Sequence, residues 1–215
     1  MSEPETSVSA SAGAKSEPIE FHFDFVSPYG CLGGFGIEQV AARHGRSVRW
    51  CPMLLGVTVI KIMGQRPVPE IPLKGTYAAH DLQRFFRLVG LPWHPANDSR
   101  VDPLPGLRAF VWLDARDPAA GKQLAQRIYR AHWCEGRDMS APDSVADEAA
   151  AIGLDRASVI AAMRDDRIKA RLREQVEASI TKGVFGCPTF IVDGEMFWGA
   201  DRLEQVERWI ASGGW

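Results

Sequence analysis

Two short segments near opposite ends of the chain restrict its fold more than anything between them. Phe23-Asp24-Phe25-Val26-Ser27-Pro28-Tyr29 is an apolar run of strand type that stops at Ser-Pro and restarts with helical character. Val184-Phe185-Gly186-Cys187-Pro188-Thr189-Phe190-Ile191-Val192 is a Gly-X-Pro-Thr turn that opens another β-rich run. Ser27 is a natural N-cap, and Pro28 suits the first helical position, where its missing N–H costs nothing. The first segment therefore reads as a strand that delivers a hydroxyl to the amino end of a helix. Such an end offers unpaired N–H groups and the positive pole of the helix dipole, and both stabilise an anion placed there.

The pattern around these segments extends the same reading. Ile19–Val26 alternates well enough for a strand, a helix is predicted from Pro28 to about His44, and Ser47–Met53 reads as a second strand. Leu32, Phe35, Ile37, Val40 and Ala41 recur at near-helical spacing, and Gly45 is the stop. Gly30, Gly33, Gly34 and Gly36 each cost this helix roughly 1 kcal/mol relative to alanine, so packing must hold it. The β-α-β crossover is expected to be right-handed. Residues 54–73 are rich in Pro and Gly and read as loop, whereas 74–183 read as consecutive helices. Their start signals are Asp117-Pro118, a capping box at Ser140-x-x-Asp143, and Asp155 before an apolar-periodic run. The last of them, about Asp165–Lys182, carries Ile168, Leu172, Val176 and Ile180 on one stripe. After Gly183 the pattern returns to β: Thr189–Val192, a turn at Asp193-Gly194, then Glu195–Trp198. Asp-Gly between apolar runs is a strong hairpin signal, and a final helix is predicted over Arg202–Ile210.

Composition narrows the partners. The 215 residues suffice for one domain with a large insertion, and 46% apolar with 24% charged residues is ordinary for a soluble globular chain. A net charge of −2 makes no electrostatic case for nucleic acid or an anionic membrane. No apolar run approaches the ~18 residues of a membrane span. Residues 1–18 are Ser/Ala/Glu/Pro-rich and read as a disordered tail, without the basic-then-apolar pattern of a secretory signal. Cys31, Cys51, Cys134 and Cys187 lie far apart and form no C-x-x-C pair. Neither a disulfide framework nor a metal site is expected, and a reducing cytoplasm fits best.

The order βαβ, helical block, ββα is thioredoxin-like, with an α/β core of residues 19–73 and 184–215 and an all-helical insertion over 74–183. Thioredoxin-like folds build a thiol site where a strand meets a helix N-terminus opposite a proline loop; here Ser27 stands where the first cysteine is expected. FDFVSPY, KGTYAAHDLQR at 74–84 and GVFGCPTFIVDGEMFWGADRL at 183–203 resemble the 2-hydroxychromene-2-carboxylate isomerases. These are the bacterial branch of the kappa-class glutathione transferases, related in fold to DsbA. The resemblance spans about residues 19–211.

It implies a glutathione-dependent isomerase of aromatic-compound catabolism, cytoplasmic and homodimeric, acting on a small aromatic substrate. Ser27 would hold the glutathione sulfur, its hydroxyl lowering the thiol pKa below the usual ~8.5. The bond before Pro188 would be cis, turning the Cys187 backbone toward the cysteinyl backbone of glutathione. Where the family usually has an aliphatic residue, this chain has Cys187, either an inert small hydrophobe or a partner for a mixed disulfide with glutathione. Trp198, Gly199, Asp201 and Arg202 lead into the last helix. Asp201 with Glu204 reads as a capping box, and N–H groups at 201 and 202 with the Asp201 carboxylate would hold the γ-glutamyl end. Lys74 and Tyr77 match a pocket border of the family, and Asn97 a contact to the organic substrate. The family often has Asn near position 68; this chain has Arg66-Pro67-Val68-Pro69.

Two other classes compete. A glutathione transferase or disulfide reductase would consume glutathione. A DsbA-like redox protein is opposed by Gly30 where a resolving cysteine would stand, and Cys31 points about 100° away on a helix. His132-Trp133-Cys134 reads as part of a packed helical stripe.

Overall fold

A computed structural model describes residues 17–94 and 101–215. Four strands, β1 (Ile19–Phe23), β2 (Val48–Pro52), β3 (Thr189–Val192) and β4 (Glu195–Trp198), form one sheet in the order β2-β1-β3-β4. β1 runs parallel to β2 and antiparallel to β3, so the two halves of the chain meet on the central strand. Phe21 pairs with Trp50 on one side and Phe190 on the other. Its ring meets the Trp50 ring edge-on at 4.7 Å and stacks on Phe190 at 5.6 Å, geometries that aromatic quadrupoles favour. β1 is covered on both faces, which accounts for the burial of His22 and Asp24 beside Phe21 and Phe23.

Between β1 and β2 runs α1 (Pro28–Arg43), capped as expected: the Ser27 Oγ accepts the Gly30 N–H at 3.0 Å. Packing does hold its glycines. A Cβ on Gly33 would lie 2.9 Å from the Pro188 ring, so the helix approaches the proline loop only because no side chain intervenes. Where β1 was expected to reach Val26, it stops at Phe23, because Asp24 turns the chain: its carboxylate accepts the Val26 N–H.

The same carboxylate changes the segment read as loop. Its other oxygen accepts the Leu55 N–H at 2.8 Å and so caps a π-helical stretch, Gly56–Ile62. That cap comes from 31 residues away and leaves no local signal. A short 3₁₀ turn, Val68–Glu70, follows. The helical insertion comprises α2 (Lys74–Leu88), α3 (Leu104–Asp114), α4 (Pro118–Tyr129), α5 (Pro142–Ala150), α6 (Arg156–Arg164) and α7 (Asp166–Thr181). Asp117 and Asp155 cap α4 and α6 as predicted. The capping box at Ser140 does not form. Ser140 Oγ accepts the Asp102 N–H, Asp143 pairs with Arg156 at 2.7 Å, and Ala141 occupies the cap. α4 continues directly into a π-helical turn, Arg130–Cys134.

The hairpin turn is Asp193 (φ 52°) and Gly194 (φ 89°), the two left-handed residues such a turn requires. The last helix, α8 (Leu203–Ser212), begins later than predicted, after a 3₁₀ turn at Ala200–Arg202. The Asp201–Glu204 capping box does not form either, since Arg202 occupies the cap and no side chain bonds there. Among the described residues no helix is long and apolar enough to cross a membrane.

Candidate functional site

The site grows out of the elbow between β1 and α1. Asp24 is fully buried; its carbonyl accepts the Ser27 N–H at 3.0 Å and the Tyr129 hydroxyl at 3.0 Å. The Phe25 carbonyl accepts the Trp133 indole N–H at 3.0 Å. Two residues of the insertion therefore satisfy the backbone of the elbow, where strand pairing has ended and helix bonding has not begun.

At the end of this elbow, Ser27 is only 5% exposed. Its hydroxyl donates to the Cys187 carbonyl at 3.0 Å while accepting from Gly30. The Cys187–Pro188 bond is cis. The Asp24 N–H donates to the Cys187 sulfur at 3.2 Å, and the Gly199 N–H donates to the Pro188 carbonyl at 2.9 Å. Gly30 is the floor: a Cβ there would stand 2.5 Å from the Tyr129 hydroxyl and 2.7 Å from the Cys187 sulfur. Ser27, Cys187, Pro188 and Gly199 thus form one connected cluster at the amino end of α1.

Its electrostatics follow from burial. Desolvation pushes the Asp24 carboxyl up to about 6, against the two amide hydrogen bonds that favour its charged form. Desolvation also pushes the Cys187 thiol up to about 12 and the Tyr129 phenol well above its ordinary value. At neutral pH the Cys187 thiol is therefore protonated, and it packs as a small apolar group.

The other sequence-predicted residues lie around this cluster. Trp198 is half exposed, its ring against Phe185 at 4.9 Å. Asp201 is exposed and faces Arg202 at 3.5 Å. Of the two N–H groups expected to be available, that of Arg202 is spent on the Gly199 carbonyl at 3.1 Å. Tyr77 is exposed on α2 and joins the site through a chain of contacts. Arg84 donates to Tyr77 and Asp81, and Tyr29 donates to Asp81 at 3.3 Å. Asp81, Tyr77 and Asp201 all add to the upward shift of the half-buried Tyr29 phenol, to about 12, for which burial is the first cause. Lys74 lies on the exposed first turn of α2, and Asn97 lies outside the described residues.

Sequence reasoning passed over Asp24, Tyr29, Tyr129 and Trp133. For Asp24 a signal existed: a lone carboxylate between Phe23 and Phe25 in a strand buried on both faces. For Tyr129 and Trp133 none did, since only the path of the insertion brings them to the elbow.

A second polar cluster lies elsewhere on the sheet, where ligand atoms of Glu20, His22 and Cys51 come within 4.8 Å of one another. It is an ion-pair network. The Glu20 carboxylate accepts from Lys182 at 2.6 Å and also from Arg49, and contacts His22 at 2.9 Å. Burial holds His22 down at about 4 and Cys51 up at about 12. A metal ion there would have to displace two cations and a tightly held thiol proton.

The model of the DSBA-like thioredoxin domain matches residues 18–211. The chain is 30% identical over 194 residues to 2-hydroxychromene-2-carboxylate isomerase of Pseudomonas putida, covering 88% of this chain and 92% of the relative. It is 25% identical over 215 residues to glutathione S-transferase kappa 1 of Homo sapiens, covering 92% and 95%. A solved structure of 2-hydroxychromene-2-carboxylate isomerase superposes with a TM-score of 0.78 at 27% identity, over 90% of this chain and 94% of that one. These relatives are enzymes, and the mixed four-stranded sheet with its helical insertion is theirs.

Proposed function

Because the chain belongs to the 2-hydroxychromene-2-carboxylate isomerase family of DsbA-like thioredoxin-domain proteins, we propose that it is a glutathione-dependent isomerase. Its substrate would be of the 2-hydroxychromene-2-carboxylate type and its product of the trans-o-hydroxybenzylidenepyruvate type, in aromatic-compound catabolism. One observation carries this reading: a serine hydroxyl, not a thiol, caps α1 against the proline loop, with Gly30 where a resolving thiol would stand. A site so built suits a thiol brought by another molecule.

The residues fit glutathione in that role. When bound, glutathione supplies a thiolate that adds to the substrate and is released again, with no net redox change. Ser27 would redirect its hydroxyl from the Cys187 carbonyl to that sulfur, and the amino end of α1 would add its positive pole. The Cys187 backbone and Pro188 would align the cysteinyl unit in strand fashion. Trp198 and Gly199 would border it, and Asp201 with Arg202 would hold the γ-glutamyl end. Lys74, Tyr77 and Asn97 would border the organic substrate.

We place the protein in the cytoplasm, consistent with four unpaired cysteines, and expect a homodimer. Exposed apolar side chains between Ile60 and Val89, among them Ile62, Leu73 and Leu88, support the latter.

Isomerisation measured with and without glutathione tests the mechanism. Glutathione should be required and recovered unconsumed, and equal rates in both conditions would overturn it. Stoichiometric loss of glutathione to a conjugate would instead favour the transferase reading, which the kappa-class relative supports.

A further inference from the structure

Ser179 on α7 fixes the tautomer of the buried His22, and with it the character of the contact between His22 and Glu20. The Ser179 hydroxyl is aimed at the carbonyls of Pro52 at 3.1 Å and Gln175 at 3.2 Å, so its proton points away from the ring. Lying 2.9 Å from His22 Nδ1, it therefore accepts that nitrogen's proton. Burial keeps the ring neutral, which leaves a lone pair on Nε2. That lone pair stands 2.9 Å from Glu20 Oε2, an acceptor against an acceptor. The hydrogen bonds of Lys182 and Arg49 end on the carboxylate. Two acceptors this close call for a cation between them. The sheet supplies a third donor: Cys51 is the register partner of His22, and Glu20 lies two residues before His22, so all three project from one face.

We propose that Glu20, His22 and Cys51 bind one zinc ion, with the fourth position left to a water molecule. Imidazole, carboxylate and thiolate are donors that zinc takes. Zinc holds such atoms at about 2.0–2.3 Å, which sets them about 3–4 Å apart around a tetrahedron. Here they lie within 4.8 Å of one another, and rotation of the half-buried Cys51 and Glu20 side chains closes the difference. A cavity of about 140 Å³, with His22, Cys51, Asp114, Ser179 and Lys182 in its walls, gives the ion a path and room for the water. Ser179 on the far ring nitrogen is the outer partner that metal-bound histidines carry. Binding balances in charge. Cys51 gives up to solvent the proton it directs at the Arg49 carbonyl at 3.6 Å, and its thiolate and the Glu20 carboxylate neutralise the ion. The cations on Glu20 end exposed side chains, Arg49 at 59% and Lys182 at 41%. Such pairs hold weakly and can swing aside.

The site uses neither Ser27 nor glutathione, so its failure and that of the isomerase reading are separable. The test is to strip the full chain with a chelator and titrate it with Co²⁺, then Zn²⁺, in buffer free of glutathione. One equivalent of Co²⁺ should bind with a sulfur-to-cobalt charge-transfer band, and one equivalent of Zn²⁺ should bleach it. Cys51→Ala should abolish the band. Ser179→Ala should weaken Zn²⁺ binding by about 10–100-fold, whereas Lys182→Met, which removes a competing cation from an exposed position, should tighten it several-fold. In the wild-type chain Zn²⁺ should protect Cys51 from alkylation, mapped by mass spectrometry, and this readout does not depend on any variant folding. A wild-type chain that shows no band and no protection would overturn the proposal, as would a band that survives in Cys51→Ala.

Discussion

His22 on the central strand and Asp24 just past its end sit two residues apart, and both are buried with displaced pKa values. They pull stability in opposite directions with pH. Asp24 has its carboxyl raised from 3.8 to about 6, so the folded state binds the extra proton between these values. Stability from this group therefore falls as pH rises from 4 to 6, by on the order of 3 kcal/mol in all. His22 is lowered from 6.5 to about 4, so the unfolded state binds the extra proton and stability falls as pH drops through that window. Asp24→Asn removes one of the two. Relative to wild type, the variant should gain stability as pH rises from 4 to 6 and hold a constant difference above it, read from urea unfolding at each pH. A difference that does not vary with pH would mean the carboxyl is not raised. Ser27→Ala belongs to the same scale: removing one preorganised donor should cost about 10²-fold in turnover, with the fold intact by circular dichroism. Ser27 was legible as the cap of α1, and so as a candidate, because its cap, its proline and its position after FDFV are all local. Asp24 was visible but unread, since a turn-forming carboxylate in an apolar run matters only once both faces of β1 are known to be covered.

The elements divide by where their ends are decided. α1, α4 and α6 start where a local Ser or Asp cap places them, with cap and capped N–H three residues apart or fewer. The capping box expected at Ser140 fails because distant partners, Asp102 and Arg156, take its members, whereas at Asp201 the adjacent Arg202 faces the carboxylate and occupies the cap itself. The stretch Gly56–Ile62 starts at Leu55, whose N–H the Asp24 carboxylate holds from across the elbow. The glycines of α1 show the same division. Helix propensity alone makes Gly33→Ala stabilising by about 1 kcal/mol. The Pro188 ring at 2.9 Å reverses the sign, and overpacking should make the substitution destabilising by roughly 1–3 kcal/mol. Thermal unfolding of the variant checks this, and a raised melting temperature would show that the proline loop yields.

At the scale of the molecule, the insertion is a structural part of the site it covers. Tyr129 and Trp133 close the hydrogen bonds of the elbow from the end of α4 and its π-helical continuation. Tyr129→Phe removes one donor, but the Asp24 carbonyl keeps the Ser27 N–H, so the loss should be about 1 kcal/mol. Trp133→Phe removes the indole donor to the Phe25 carbonyl along with core volume, and should cost more, about 2–4 kcal/mol. Chemical denaturation of both variants tests the ranking, and equal losses would show that the indole bond contributes little.

The sequence by itself determined the strand–helix elbow, the hairpin, the order of the two half-sheets and the helical character of 74–183. Each rests on periodicity, caps and turns, which act over a few residues. Only the tertiary structure decided what surrounds Ser27: the Cys187 carbonyl on its hydroxyl, and Tyr129 and Trp133 on the Asp24 and Phe25 carbonyls of its elbow. Those contacts join residues more than a hundred positions apart. Their partners are selected by burial, which leaves no periodic mark on the chain.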